Sequence, residues 1–307
     1  MTPKALFLAG AGLLAITGIA IVLWPSSKPQ RAAPPPATTT APPAPTTTAP
    51  PPPPPTTTAP LPKPPPPAVP MSWEHAGAFV WHTHDVDPQW LGEQLRAAGF
   101  GWVAVYVGKD GAADPPDDGW IYRFSLASGL PVGGWSVLGN EPHADAALAA
   151  RMVRRESLSF FIANAEAPYQ ADPARSQQFV DAFRAAEPSL PAGLSSLCDA
   201  RGIDLVPWAG AGFAFLPQAY VKDFGSNVAP AHCVRAASPF PPSEVHPTVG
   251  SYRGQKGWVL PQTYTRLLAQ AGTTGFSVYL AETNMPDTSW QAYGQAIAQQ
   301  HLAVKVS

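Results

Sequence analysis

Charged residues are scarce in this chain of 307 residues. Only 13% of the residues are Asp, Glu, Lys or Arg, the formal net charge is −2, and the folded part holds no cluster of basic residues. Proteins that bind nucleic acid carry a basic patch that neutralises phosphates. The composition therefore argues against a nucleic-acid partner.

Cysteine is equally rare, since Cys198 and Cys233 are the only two in the chain. Neither lies near the amino terminus, which excludes a bacterial lipoprotein anchor. The pair would close a loop of about 35 residues, and a disulfide is plausible in an oxidising compartment. Two buried free thiols are the alternative, and the sequence leaves both open.

A charge-free apolar stretch runs from Ala5 to Trp24. As a helix that rises 1.5 Å per residue it would reach about 30 Å, enough to cross the core of a bilayer. A cleaved signal peptide is the alternative, but its apolar region is usually shorter and ends at a small-residue cleavage site. We expect residues 1–24 to be a transmembrane anchor or a signal sequence, with the anchor favoured.

Residues 25–70 alternate proline runs with repeats of Thr-Thr-Thr-Ala-Pro. Such a sequence cannot build a core, and as extended polyproline II it could span on the order of 140 Å. Proline and threonine stalks are typical of cell-surface proteins. We expect a disordered stalk that holds an extracellular domain away from the membrane, or a secreted protein if the first segment is cleaved.

Residues 71–307 form the predicted folded domain. Short β-branched or aromatic runs alternate there with alanine-rich amphipathic runs, the pattern of a parallel sheet with crossover helices. Eight such units in about 230 residues fit a (β/α)8 TIM barrel. An open doubly wound sheet is the alternative, but no G-x-G-x-x-G or G-x-x-x-x-G-K-[ST] loop follows the first strand. The sequence does not indicate an oligomeric state. The predicted strands are 77–84, 101–107, 131–137, 159–166, 191–197, 213–217, 245–251 and 275–280.

The fourth predicted strand carries the most informative polar residues. Strand alternation places Asn164 and Glu166 on one face, after wholly apolar residues. Because chemistry in a TIM barrel sits at the carboxyl ends of its strands, Glu166 is our candidate general acid. A glutamate at the rim that pairs with an arginine, such as Arg154 or Arg184, or that caps a helix is the structural alternative.

A second carboxylate is needed for ordinary glycoside hydrolysis, at about 5 to 9.5 Å from the first. The candidates are Glu282, after the eighth strand, and Asp85, after the first. Strands four and eight lie opposite each other, so Glu282 could prove too far from Glu166 without loops that lean inward.

Flat aromatic and polar side chains follow strand after strand at the same predicted end. Such groups stack on sugar rings and bond to their hydroxyls, so together they indicate a glycan cleft. The predicted substrate-binding residues are Trp81, His82, Tyr106, Trp135, Asn164, Tyr169, Gln218, Tyr220 and Tyr279.

Two short motifs resemble those of other barrel enzymes. Asn140-Glu141-Pro142 resembles the acid/base signature of retaining glycosidases, but it is also an ordinary helix start with Asn140 as N-cap, the interpretation we favour. His82-Thr83-His84 resembles the first metal motif of amidohydrolase barrels. Because the histidines which those enzymes need after strands five and six are missing, we expect neither a metal nor another cofactor.

As a whole, the domain resembles the chitinase-like and lysozyme-like glycoside-hydrolase barrels, in which a glutamate closes the fourth strand. The chitinase-like enzymes carry D-x-x-D-x-D-x-E there and the lysozyme-like barrels D-x-E, whereas this chain has Asn164-Ala165-Glu166. The resemblance implies a surface hydrolase of cell-wall or extracellular polysaccharide. A catalytically inactive barrel that binds glycans or an envelope protein is the alternative, because Asn164 cannot carry the charge of the aspartate.

Overall fold

The computed structural model describes residues 66–117, 119–251, 261–279, 281, 285 and 287–304. They lie in one compact unit, Thr58–Ser307. Within this described part of the chain, no helix is long and apolar enough to cross a membrane. The apolar stretch from Ala5 to Trp24 and residues 25–65 of the stalk lie outside it.

Eight parallel strands close into a barrel, each overlapping one of the predicted strands. The first strand pairs with both the second and the last, which closes the sheet and rules out the open doubly wound alternative. A two-residue strand, β3, pairs antiparallel with the end of β2 and stands outside the barrel. The strands are β1 (Gly77–Val80), β2 (Trp102–Lys109), β3 (Ala112–Ala113), β4 (Val132–Val137), β5 (Phe161–Asn164), β6 (Ala192–Leu197), β7 (Phe213–Gln218), β8 (Thr248–Gly250) and β9 (Ser277–Tyr279).

Helices connect the strands and cover the barrel. The sequence pattern also predicts helices over 88–98, 120–127, 142–156, 173–187 and 288–300, and all five are present. The described residues hold five further helices, in the connections after β5, β6, β7 and β8. The helices are α1 (Pro88–Ala97), α2 (Trp120–Ser128), α3 (Pro142–Glu156), α4 (Ala167–Ala171), α5 (Ala174–Ala186), α6 (Val206–Gly210), α7 (Val221–Phe224), α8 (Pro230–Ala236), α9 (Pro261–Ala271) and α10 (Asp287–Val304).

Strand alternation divides the buried side chains into two clusters. Along β2, Trp102, Ala104 and Tyr106 point into the barrel, whereas the intervening valines pack against the helices. The interior needs small residues beside its large rings, since a Cβ at Gly133 would collide with the ring of Phe160. The interior is thus a packed core, as expected for a barrel of eight strands.

Trp73 closes the amino-terminal end of the barrel. Its ring packs edge to face against Trp102 and Phe160, each with ring centroids 5.4 Å apart, and both residues stand where their strands begin. The Trp73 ring also lies 3.3 Å from the position of a Cβ on Gly193. The residues that follow the stalk therefore complete the inner core.

Helix α3 begins at Pro142, as the helix-start interpretation predicted, but its N-cap is Glu141. Asn140 does not cap the helix; its Oδ1 instead accepts a hydrogen bond of 2.7 Å from Nη1 of Arg175. The predicted N-cap was wrong by one residue, because the guanidinium of α5 engages the asparagine.

Cys198 and Cys233 form a disulfide, so the alternative of two free thiols is wrong. The bond joins the end of β6 to helix α8. Both sulfurs also contact backbone carbonyls of the turn between α7 and α8, those of Asn227 and Val228. The disulfide therefore fixes the least regular part of the barrel rim.

Candidate active site at the carboxyl end of the barrel

Glu166 stands at the carboxyl end of β5, where it is the N-cap residue of α4. Its Oε1 accepts a hydrogen bond of 3.1 Å from Nδ2 of Asn164. The same oxygen accepts a second bond, of 3.2 Å, from Nε2 of Gln218. The contact with Asn164 agrees with the predicted common face of the two residues.

Gln218 links the ends of β5 and β7. It is the last residue of a strand that is otherwise apolar, and its side chain is only 6% exposed. Besides the bond to Glu166, its Nε2 donates a bond of 3.0 Å to Oδ1 of Asn164. A buried amide of this kind is costly unless it is hydrogen-bonded, so the triangle of Asn164, Glu166 and Gln218 is held in one geometry.

Aromatic rings form the opposite wall of the mouth. Trp81, which follows β1, is 40% exposed and packs on Tyr106, Trp135 and Tyr279 with centroid distances of 5.6, 5.7 and 6.4 Å. Nε1 of Trp135 donates a bond of 3.0 Å to the carbonyl of Val80, which fixes that ring. Trp81 therefore presents a supported, accessible face to the solvent.

Tyr106 stays a neutral phenol at physiological pH. Burial, followed by the negative charges of Asp114 and Asp110, raises the pKa of Tyr106 to about 12. A protonated phenol can donate a hydrogen bond to a hydroxyl or carbonyl of a ligand.

Two further rings extend the wall. Tyr220, after β7, stacks on Tyr279 with centroids 5.6 Å apart, and Phe224 at the end of α7 stacks on Tyr220 at 6.4 Å. Phe224 is half exposed. It was absent from the predicted site, although the four-residue spacing of Tyr220 and Phe224 is that of neighbours on a helix.

One predicted site residue, Tyr169, lies elsewhere, and two others, His82 and Asp85, are exposed on the segment after β1. Tyr169 is a core residue and does not line the mouth: its ring is fully buried against Trp208 among the helices, and burial raises its pKa well above the usual range. His82 is exposed and stacks on Trp81. Asp85 is exposed in the short 3-10 turn Thr83–Asp85.

The structural alternative for Glu166 has two parts. Glu166 is the N-cap residue of α4, but its side chain makes no capping hydrogen bond. The arginines that we considered as partners, Arg154 and Arg184, bond to other groups. Nη1 of Arg154 bonds to Glu187 at 2.7 Å, and Arg184 donates to the carbonyls of Ala211 and Leu190. The other predicted carboxylate, Glu282, lies outside the described residues.

The predicted absence of a metal rests on a ligand count. Among the residues that the structure describes, no group of three His, Cys, Asp or Glu side chains could hold a metal ion. His84, the second histidine of the H-x-H motif, bonds through Nδ1 to Oδ1 of Asp117 at 3.0 Å.

No family model matches the chain, and no curated protein matches it. Solved structures do. The chitinase from Chromobacterium violaceum superposes with a TM-score of 0.54 at 16% identity, over 73% of this chain and 99% of that one. The chain thus shares the (β/α)8 barrel fold of that chitinase.

Two further structures support this chitinase-like fold. The GH18 chitinase from Cycas revoluta, solved in complex with (GlcNAc)3, gives a TM-score of 0.57 at 8% identity over 72% of this chain and 99% of its own. The spore cortex-lytic enzyme SleL from Bacillus cereus gives 0.54 at 10% identity, over 72% of this chain and 74% of its own. At such identities the likeness concerns the fold alone.

Proposed function

We propose that the protein binds a polysaccharide across the carboxyl end of the barrel and hydrolyses it, with Glu166 as general acid. The observation that carries this proposal is the carboxylate of Glu166, fixed by two amides opposite a wall of aromatic rings. Amides and flat rings suit a ligand that has both hydroxyl groups and apolar ring faces.

The two amides bond to only one of the two carboxylate oxygens of Glu166. Both bonds end on Oε1 of Glu166, so Oε2 is used by neither amide. A proton on Oε2 can pass to the leaving-group oxygen of a glycosidic bond while the amides hold the group in place. Gln218 and Asn164 thus act as positioning residues.

The second group of the reaction has two candidate sources. One is a protein carboxylate, for which Glu282 and Asp85 remain our candidates. The other is the substrate, since some glycosidases use a group of the sugar in place of the second carboxylate. The second source requires only Glu166 from the protein and suits a polymer of N-acetylated sugars.

The structural neighbours support a proposal for the substrate class. One of them was solved with (GlcNAc)3, and another is a spore cortex-lytic enzyme. We therefore propose chitin-like or peptidoglycan polymers as substrates. If Ala5–Trp24 is an anchor and residues 25–70 a stalk, the barrel acts on such polymers outside the cell.

A catalytically inactive glycan-binding barrel is the second candidate function. It is favoured by Asn164, which stands where the D-x-E pattern has an aspartate and which donates a hydrogen bond to Glu166.

A paired assay separates the two functions. Pull-down on insoluble chitin and peptidoglycan measures binding, and release of reducing ends measures hydrolysis. Binding that is lost in Trp81→Ala supports a glycan cleft at the mouth, because this variant removes the accessible ring. Reducing-end release then identifies the hydrolase, whereas binding without release identifies the inactive barrel. Failure of both polymers to bind would contradict the proposal.

A further inference from the structure

A cavity with a volume of about 580 Å³, which we call the distal pocket, lies among the segments that follow β6 and β7. This volume is in the range of small-molecule sites. None of the predicted site residues that the structure describes lines it. Its walls come from the loop after β6, from α7 and from the turn and helix that follow, and include Leu197, Asp199, Arg201, Phe224, Asn227 and His232.

Two sets of contacts link the lining of the distal pocket to the candidate active site. One is a row of stacked rings, Tyr279, Tyr220 and Phe224, which starts at the mouth and ends in the pocket wall. The other is the sheet itself, since Leu197 of the pocket is the strand neighbour of Gln218, which bonds to Glu166. The lining of the pocket is therefore linked by direct contacts to residues of the mouth.

The lining of the distal pocket fits an uncharged sugar. Arg201 forms an ion pair with Asp199, so the cation at the rim is already neutralised. Leu197 and the half-exposed ring of Phe224 offer apolar surface, and Asn227 and His232 offer hydrogen-bonding groups. This mixture matches a pyranose, which has apolar C–H faces and a rim of hydroxyls.

The disulfide links two segments of the pocket wall covalently. Cys198 lines it, and the bond to Cys233 ties the loop after β6 to α8, which carries His232. The sulfurs also contact the carbonyls of Asn227 and Val228 in the pocket wall. The walls are thereby fixed before a ligand arrives, which lowers the cost of ordering them.

We propose that the distal pocket is a subsite for a remote sugar of the same polymer that occupies the mouth, with Phe224 as its stacking platform. This inference rests on the proposed function, because it assumes that the mouth binds a glycan. It goes beyond that function by giving the cleft a direction, from Trp81 over Tyr279 and Tyr220 to Phe224, and by predicting a preference for long chains.

The test measures dissociation constants of the full-length protein for β-1,4-linked N-acetylglucosamine oligomers, from the dimer to the hexamer. In the parent protein, affinity should rise with length. Phe224→Ala should weaken the hexamer about five- to tenfold, the effect of losing one aromatic contact, and leave the dimer unchanged. Phe224→Tyr should retain the rise in affinity with oligomer length. Leu126→Ala, which removes an exposed apolar side chain far along the sequence, on α2, should change no affinity.

Each contrary outcome has one meaning. If Phe224→Ala leaves the affinity for the hexamer unchanged, or lowers the affinities for dimer and hexamer equally, the distal subsite is overturned. The proposed function still stands in that case, provided that Trp81→Ala abolishes binding of the dimer. If Trp81→Ala weakens no oligomer, the proposed function fails and the subsite with it.

Discussion

The carboxylate of Glu166 accepts a hydrogen bond from the side-chain amide of Gln218, although 52 residues separate them in sequence. The bond spans the ends of two barrel strands, β5 and β7, with β6 between them. It turns a glutamate at the end of a strand into a group with a fixed orientation, and the proposed chemistry depends on that orientation.

Gln218→Leu should reduce turnover about tenfold or more, because without the bond from Gln218 the carboxyl group of Glu166 is no longer held in line with the leaving-group oxygen. It also leaves Oδ1 of Asn164 without the amide bond, at a stability cost of about 1 to 3 kcal/mol. Hydrolysis assays and urea unfolding measure the two effects. Gln178→Leu, at an exposed position on α5, is the matched control. Unchanged turnover in Gln218→Leu would remove its positioning role.

Trp73 and Trp81 lie at opposite ends of the barrel, so their alanine variants should have opposite effects. Trp73→Ala should destabilise the fold by roughly 3 kcal/mol, because it leaves a cavity at the amino-terminal end of the inner core. Glycan binding should persist. Trp81→Ala should abolish binding with little change in stability, because its ring is 40% exposed. Thermal unfolding and pull-down measure both. Equal loss of stability in the two variants would contradict this assignment.

His246 should make the fold sensitive to acid. Its side chain is 1% exposed, and burial lowers its pKa from 6.5 to about 4. Between pH 6.5 and 4 the unfolded chain therefore binds a proton at His246 that the folded chain does not. The free energy of unfolding that is present above pH 6.5 is lost in part as the pH falls through 4. Relative to His246→Leu, the parent protein should lose about 3 kcal/mol between those limits. A difference in unfolding free energy that does not change with pH would be the contrary result.

The disulfide between Cys198 and Cys233 should contribute to stability through the loop that it closes. For a sequence separation of 35 residues, the chain-entropy estimate is on the order of 3 to 4 kcal/mol. Replacing both cysteines by serine should lower the free energy of unfolding by that amount. Thiol titration of parent protein made in an oxidising compartment should find no free thiol, and two reactive thiols would argue against the bond.

The barrel could be predicted from sequence because its strands and longer helices carry clear periodicity. Strand β2, for example, alternates large inward rings with outward valines. Helices α6, α7 and α8 were missed because four to seven residues are too few to show a helical period. The prolines in the connections around them also interrupt the helical spacing of apolar residues.

The site residues could be predicted only as far as the alternation of side chains along a strand continues. Asn164 and Glu166 share a face as alternation requires, but Tyr169 does not, because the chain has already turned into α4 at Ala167 and directs that ring towards Trp208. The bond from Gln218 to Glu166 could not be predicted, since it depends on which strands are neighbours in the closed barrel.

Glu166→Gln tests the central claim most directly. The amide keeps the size of the side chain and an oxygen that can accept the bonds from Asn164 and Gln218, but it cannot donate an acidic proton. Binding to chitin or peptidoglycan and the unfolding temperature should therefore be nearly unchanged, while reducing-end release should fall about 100-fold or more. Undiminished hydrolysis by Glu166→Gln would contradict the role of Glu166 as general acid.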